Sequence, residues 1–420
     1  MKSFLSFTYL EYLYNRFNER LWVRPLIACL FSIGAVFLAK GAEILLSDIA
    51  LPMITYESLE KLLSVLSASM LVIATFSVSS MVTAYSSAAS TATPRAFSLV
   101  VADDQSQNAL SMFIGAFIYS IVALVALMNN YFLKEGLFTL FVVTLIVFTL
   151  VISTFVKWVD SIARLGRMSS TINKVENATN KAMMKLKEAP TLQALTTSAV
   201  PVIGKEVCAA TVGYIQYIDL ASIQQWAEKN EARVTIVALP GKFVTTSEPL
   251  AYITSAHATV NQLTQKVIID AFQIGRERLF DFDPRFGLVV LSEIACRALS
   301  PAVNDPGTAI NIISTLTRLF IDWAKPIEKK DICPIIYNRI EVPELKLDDM
   351  FDDAFTSIAR DGAGSVEVAS MLQQSLQALT KNNHTEMEKA AITHSRLVLK
   401  RASEVMYLKE DIQRVKERTL

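Results

Sequence analysis

The chain has 420 residues, 40 basic against 40 acidic side chains, and a 52% hydrophobic composition with a mean hydropathy of +0.37. So apolar a composition excludes an ordinary soluble enzyme, and a formal net charge of +0 excludes the basic field that nonspecific nucleic-acid binding needs. Four cysteines (Cys29, Cys208, Cys296, Cys333) stand far apart without a CxxC pair, which predicts a reducing cytoplasm rather than a disulfide framework.

Residues 1–24 predict a cytoplasmic N-terminal segment. They do not read as a cleavable signal, because the apolar run begins only after Arg24 and no small-residue cleavage site follows it. Four stretches then reach the ~20 mainly apolar residues that a membrane span requires. They are Pro25–Leu46, Leu62–Ala84, Ala109–Met128 and Leu137–Val156, and they predict a four-helix transmembrane domain over residues 25–157. Lys40 and Glu43 interrupt the first span near one end, and their i, i+3 spacing predicts an ion pair at the outer interface. Basic residues in short loops set the orientation. Lys2, Arg16, Arg20 and Arg24 precede the first span, Arg95 follows the second, and a basic run from Lys157 to Lys187 follows the fourth. The loop Ser47–Glu60 carries acids and no Lys or Arg, so both termini are expected in the cytoplasm.

The second span lies in a stretch, residues 62–94, with no charged residue at all. Thr75, Ser79 and Thr83 recur at i, i+4 and i+8 on one helical face, and Ser86, Ser87 and Ser90 prolong it. Two readings stay open. The stripe can serve close helix packing, with hydroxyls bonded to carbonyls four residues back. Alternatively it lines a water or ion path where protomers meet. The absence of a charge within the stripe argues against a buried proton relay.

Residues 158–189 predict an amphipathic helical linker or stalk that Pro190 ends. A small β-rich module is expected over 190–256. Val207–Ile218 has strand chemistry, Asp219 can cap a short helix, Arg233–Leu239 alternates, and Pro240-Gly241 is a turn signal before Lys242-Phe243-Val244. Residues 257–420 predict a mainly helical cytoplasmic domain. It includes a helix through Ile268–Phe280, a strand-like run near Ile335–Leu347, three later helices and a frayed charged tail. The fold class is thus an integral membrane α-helical bundle of four transmembrane helices followed by a cytoplasmic α+β domain.

Within that last domain, Phe286–Thr315 reads as two helices divided by Ser300-Pro301 and Asn304-Asp305-Pro306. Asp305 before Pro306 predicts a helix cap. The alternative is a polar pocket in which Ser300, Asn304, Asp305 and Thr308 meet Arg276 or Arg278 around a small ligand. No P-loop, GxGxxG, nucleophile elbow or Cys/His metal spacing occurs, and His257, His384 and His394 form no such cluster. No catalytic residue, metal ligand or cofactor is therefore expected.

The run GRERLFDFDPRFGLVVLSEIACRALSPAVNDPGTAI resembles the signature of a bacterial family of predicted membrane proteins, the domain of unknown function twenty-two fifty-four. Gly275, Arg276, Arg278, Asp283, Pro284, Phe286, Gly287, Asn304, Asp305, Pro306 and Thr308 carry the likeness. The segments TFSVSS…SSAAS and PGKFV are similar too, while Leu279 stands where the pattern has Thr and Ser247-Glu248 where it has Gly. The resemblance implies the architecture already read from the residues and supplies no activity. The expectation is an oligomeric channel or transport-like protein of a bacterial inner membrane, with a cytoplasmic sensing or gating domain. Its partners would be the lipid bilayer, further copies of the chain and a small ion or solute, without nucleic acid. The alternative is a membrane-tethered regulatory or enzymatic module that binds a small ligand at the Asn304-Asp305 loop.

Overall fold

A long apolar run satisfies its backbone polar groups within itself as a helix, and among the described residues the first part of this chain does so four times. A computed structural model describes residues 22–45, 52–91, 93–101, 104–164, 167–197, 204–255, 262–328 and 331–420. The chain divides into two compact units that meet in sequence between Thr171 and Ile172.

In the first unit, helices α1 (Val23–Leu45), α2 (Tyr56–Thr91), α4 (Asp104–Met128) and α5 (Lys134–Arg164) are long and apolar enough to cross a membrane. A 3-10 turn at Pro94–Ala96 and the short α3 (Phe97–Val101) join the second to the third. Its 36 residues make α2 about 54 Å long, well beyond a hydrocarbon core of about 30 Å. Leu59, Leu63, Leu66 and Met70 turn one side of α2 inward against Phe113, Tyr119 and Leu140. Trp158 lies at the centre of an edge-on aromatic cluster, 6.0 Å from both Phe76 and Phe113. Lys40 and Glu43 pair at 2.7 Å as their spacing predicts, and they also fasten the turn before α5. Lys40 Nζ donates to the Tyr131 carbonyl at 2.6 Å, and Glu43 accepts from the Leu133 N–H at 2.8 Å.

The second unit opens in α6 (Met168–Glu188). The single amphipathic helix expected over Asp160–Glu188 is two helices, since α5 ends at Arg164; Gly166, a poor helix former, falls between them in sequence. Among the described residues eight strands follow. A five-stranded sheet has the order β1 (Ala194–Thr196), β8 (Tyr337–Val342), β4 (Ala232–Ile236), β6 (Pro249–Ser255), β2 (Lys205–Cys208). A second sheet sets β3 (Gly213–Ile218) between β5 (Phe243–Val244) and β7 (Phe272–Gly275). The strand expected over Val207–Ile218 is therefore divided, with β2 in one sheet and β3 in the other. The helix expected through Ile268–Phe280 stops at the end of α8 (Gln262–Ala271), and the next residues pair with β3 in the register Phe272↔Ile218 and Ile274↔Ile215. Long-range pairing overrides local helical pattern there. Helix α7 (Leu220–Lys229), capped by Asp219, packs Ile223, Trp226 and Ala227 onto this β core.

The remaining helices form a separate layer of packing. They are α9 (Pro284–Ala298), α10 (Pro306–Ala324), α13 (Val366–Leu379) and α14 (Thr385–Val405), with a continuous run between α10 and α13. That run is α11 (Leu347–Phe351), a π turn at Asp352–Thr356 and α12 (Ser357–Asp361). Phe320, Phe351 and Phe355 stack at its centre beside the buried His394. The tail is ordered rather than frayed: α15 (Lys409–Lys416) buries Val415, and the Leu420 N–H donates to Ser395 Oγ at 3.0 Å. His257 lies outside the described residues.

Candidate functional site

The hydroxyl stripe of α2 faces outward. Thr75, Ser79, Thr83, Ser86 and Ser87 are all exposed in the single chain, and Ser90 has a side chain outside the described residues. Thr75 Oγ1 donates to the Leu71 carbonyl and Thr83 Oγ1 to the Ser79 carbonyl, so those two hydroxyls are satisfied within the helix. The same face continues through the exposed Ala68 and Ser64, seven and eleven residues before Thr75. Exposed Val72, Phe76 and Val82 border it. Packing inside the protomer thus does not account for the stripe. The inward hydroxyls are others, not singled out by sequence: Ser77 is fully buried, and Tyr119 and Thr144 bond at 2.9 Å. Helical periodicity could have placed Ser77 with the buried Ala74 and Met81 on the face opposite the stripe.

In the second unit the family-like runs converge on Asp283. The fold inserts this carboxylate at the head of α9, where Pro284 takes the first helical position and Oδ1 accepts from the Phe286 N–H at 3.2 Å. Arg278 grips it with two bonds, Nε to Oδ2 at 2.6 Å and Nη2 to Oδ1 at 2.9 Å, while its guanidinium lies 5.3 Å from the Phe286 ring centroid. Burial pushes the Asp283 carboxyl above its ordinary range, and the guanidinium and the cap N–H pull against that shift. The Pro240-Gly241 turn seats directly on the carboxylate. Gly241 has φ +88°, and a Cβ there would stand 2.1 Å from Asp283 Oδ2. Gly287, one turn into α9, approaches α6 so closely that a Cβ would stand 1.9 Å from Thr179 Oγ1.

Beside Asp283, Arg285 bonds Asp353 at 2.5 Å and Asp349 at 3.2 Å. Arg278, Arg285 and Asp349 border a cleft of about 380 Å³ with Lys242 and Lys346 on its wall. Glu344 and Asp349 share that wall, and Asp283 and Asp353 engage its two arginines, so the cleft carries cations and carboxylates in balance. Such a cluster ties the PG turn, β7 and α9 together. The signal for it is the Asp-Pro at 283–284, the same pair that opens α10 at 305–306.

The loop between α9 and α10 is spent on its own geometry. Asp305 caps α10, accepting from the Thr308 N–H at 3.0 Å and from the Thr308 hydroxyl, and those bonds hold its carboxyl below the ordinary value. Ser300 Oγ donates to the Arg297 carbonyl, and Asn304 takes φ 48°, a left-handed conformation that Asn tolerates. The structure brings Ser300, Asn304, Asp305 and Thr308 together and leaves the arginines elsewhere. Arg278 holds the N-terminus of α9 and Arg276 follows β7, whereas Ser300 and Asn304 follow the C-terminus of α9. Fifteen helical residues, roughly 22 Å, separate those ends. Among the described residues no group of His, Cys, Asp and Glu is arranged to hold a metal ion.

Four membrane-length helices joined to an α+β unit define the class of protein. The chain belongs to the family described as "Predicted membrane protein (DUF2254)", whose model matches residues 18–378. Uncharacterized proteins of Mycobacterium tuberculosis and Mycobacterium bovis are 34% identical to it over 111 residues, 26% of this chain and 21% of theirs. The match thus spans about a fifth of the length of these relatives. No solved structure matches the chain.

Proposed function

We propose that this chain is a multi-pass protein of a bacterial inner membrane, with both termini cytoplasmic, whose copies assemble through the hydroxyl face of α2 into a path for a small ion or solute. The unit from Ile172 onward serves as its cytoplasmic sensing or gating part. One observation carries the reading: Thr75, Ser79 and Thr83 point away from the protomer's own core along the uncharged stretch of α2. Thr75 and Thr83 spend their protons on carbonyls of their own helix, yet each hydroxyl oxygen keeps an acceptor capacity that lipid cannot use and a neighbouring helix or a water column can. Small side chains at Ser64, Ala68, Thr75 and Ser79 also let a second copy approach closely. The ligand-binding reading of the Asn304-Asp305 loop has no such support, because Asp305 is spent on Thr308 and the arginines lie apart.

The test is flux through vesicles that contain the purified chain, together with its mass as an intact assembly. Ion or solute flux above empty vesicles, reduced at least tenfold by Ser79→Leu with Thr83→Leu while the assembly persists, is the expected result. A monomer without flux would refute the proposal.

A further inference from the structure

A second feature of the helical unit is a groove of about 520 Å³ between α1 and α4. Its floor is the contact of the two helices, so close that a Cβ on Gly115 would stand 3.1 Å from the Cβ of Ala28. The two helices run parallel here. Arg24 and Asn108 face each other at one end, with Arg24 Nη1 donating to Asn108 Oδ1 at 2.9 Å, and Ala35, Tyr119 and Val147 lie at the other. Arg24 to Ala35, like Asn108 to Tyr119, spans eleven residues, about 16 Å of helix. That is the depth of one leaflet, half of a hydrocarbon core of about 30 Å.

The groove's interior offers nothing to water. Ser32 Oγ donates to the Ala28 carbonyl at 2.8 Å, Ser111 Oγ to the Gln107 carbonyl at 2.7 Å, and the Tyr119 hydroxyl bonds Thr144. An ordered water needs two to four polar partners, and the remaining walls are Ala, Ile, Val, Phe, Met and Gly. Ile27 and Phe31, which line the groove, and Leu38 on the same side of α1 are exposed, so the groove opens on an apolar surface. An apolar slot one leaflet deep, with a guanidinium at its rim, complements one molecule class. We infer that it holds an acyl chain of an anionic phospholipid whose phosphodiester sits on Arg24, the side chain best shaped for a phosphate. This inference rests on membrane insertion, but not on the path along α2.

The test is native mass spectrometry of the full chain, released from detergent with phosphatidylglycerol or phosphatidylcholine of identical acyl chains. The expected result is one retained lipid per chain with about fivefold preference for phosphatidylglycerol, the factor that corresponds to one basic residue near an anionic headgroup. Arg24→Gln should abolish the preference while leaving retention, and Ala35→Phe, which fills the inner end of the groove, should abolish retention of both lipids. Equal retention of the two lipids by the unaltered chain would overturn the assignment, as would full retention by Ala35→Phe. Retention of oleate in place of phospholipid would overturn the headgroup, and lipid-free dimers that crosslink through Phe31→Cys would show a second copy in the groove instead. Carbonate extraction separates the two levels. A chain that stays in the membrane pellet but keeps no lipid defeats this inference alone, whereas one that is extracted defeats membrane insertion.

Discussion

Replacing Gly241 by alanine should destabilise the second unit through Asp283. The substitution has two costs. Its φ of +88° lies where an L side chain costs about 1 kcal/mol or more. The added methyl would also stand 2.1 Å from Oδ2 and 2.4 Å from Cγ of Asp283, a side chain only 4% exposed and held by Arg278 and the Phe286 N–H. Displacing it adds an overpacking cost of about 1–3 kcal/mol and weakens a helix cap worth about 1 kcal/mol. The sum is about 3–5 kcal/mol, which for a unit of this size lowers its thermal midpoint by roughly 10 °C. Thermal unfolding of the full chain in nanodiscs reads that shift, and hydrogen exchange over residues 278–290 locates it at the head of α9. In an Asp283→Ser background the serine still caps α9 but leaves room for the methyl. There the alanine should cost only the ~1 kcal/mol of its backbone conformation. An equal loss in both backgrounds would refute the clash as the cause.

Asp305→Ala should cost about 1 kcal/mol and speed amide exchange in the first turn of α10, while Asp305→Asn keeps most of the cap; a much larger loss would point to a role beyond capping. His394 is buried against Phe351 and Phe355, and burial lowers its pKa below 6.5, with Asp352 only partly offsetting. The unfolded chain then binds the extra proton first, so stability is lost as pH falls below 6.5 toward the folded value. Unfolding followed against pH should show that slope, and His394→Gln should flatten it.

Much of this protein is legible in one dimension, since the physics involved is local. A span needs only a run of apolar residues, so Leu62–Ala84 lies within α2 and Ala109–Met128 within α4. Capping is equally local, and Asp219 and Asp305 cap α7 and α10 where the residues predict it. The Lys40–Glu43 pair follows from helical spacing alone. Strand partners do not. β8 comes from residue 337 onward yet lies between β1 and β4, and β7 interrupts a helical pattern to pair with β3, because pairing energy depends on a neighbour remote in sequence.

The same division runs through the candidate sites. Periodicity identified Thr75, Ser79 and Thr83 as one face, but a helix has no intrinsic inside, and only packing against α4 and α5 turned that face outward. Arg278 and Asn304 both belong to a compact motif in sequence, and the length of α9 holds them at opposite ends. Gly241 and Asp283 are 42 residues apart and touch, a contact that no spacing rule contains. Sequence by itself thus determined which segments are helices long enough for a membrane and how several of them begin. Tertiary structure decided which faces meet, because burial and pairing are set by the neighbours a residue acquires only after folding.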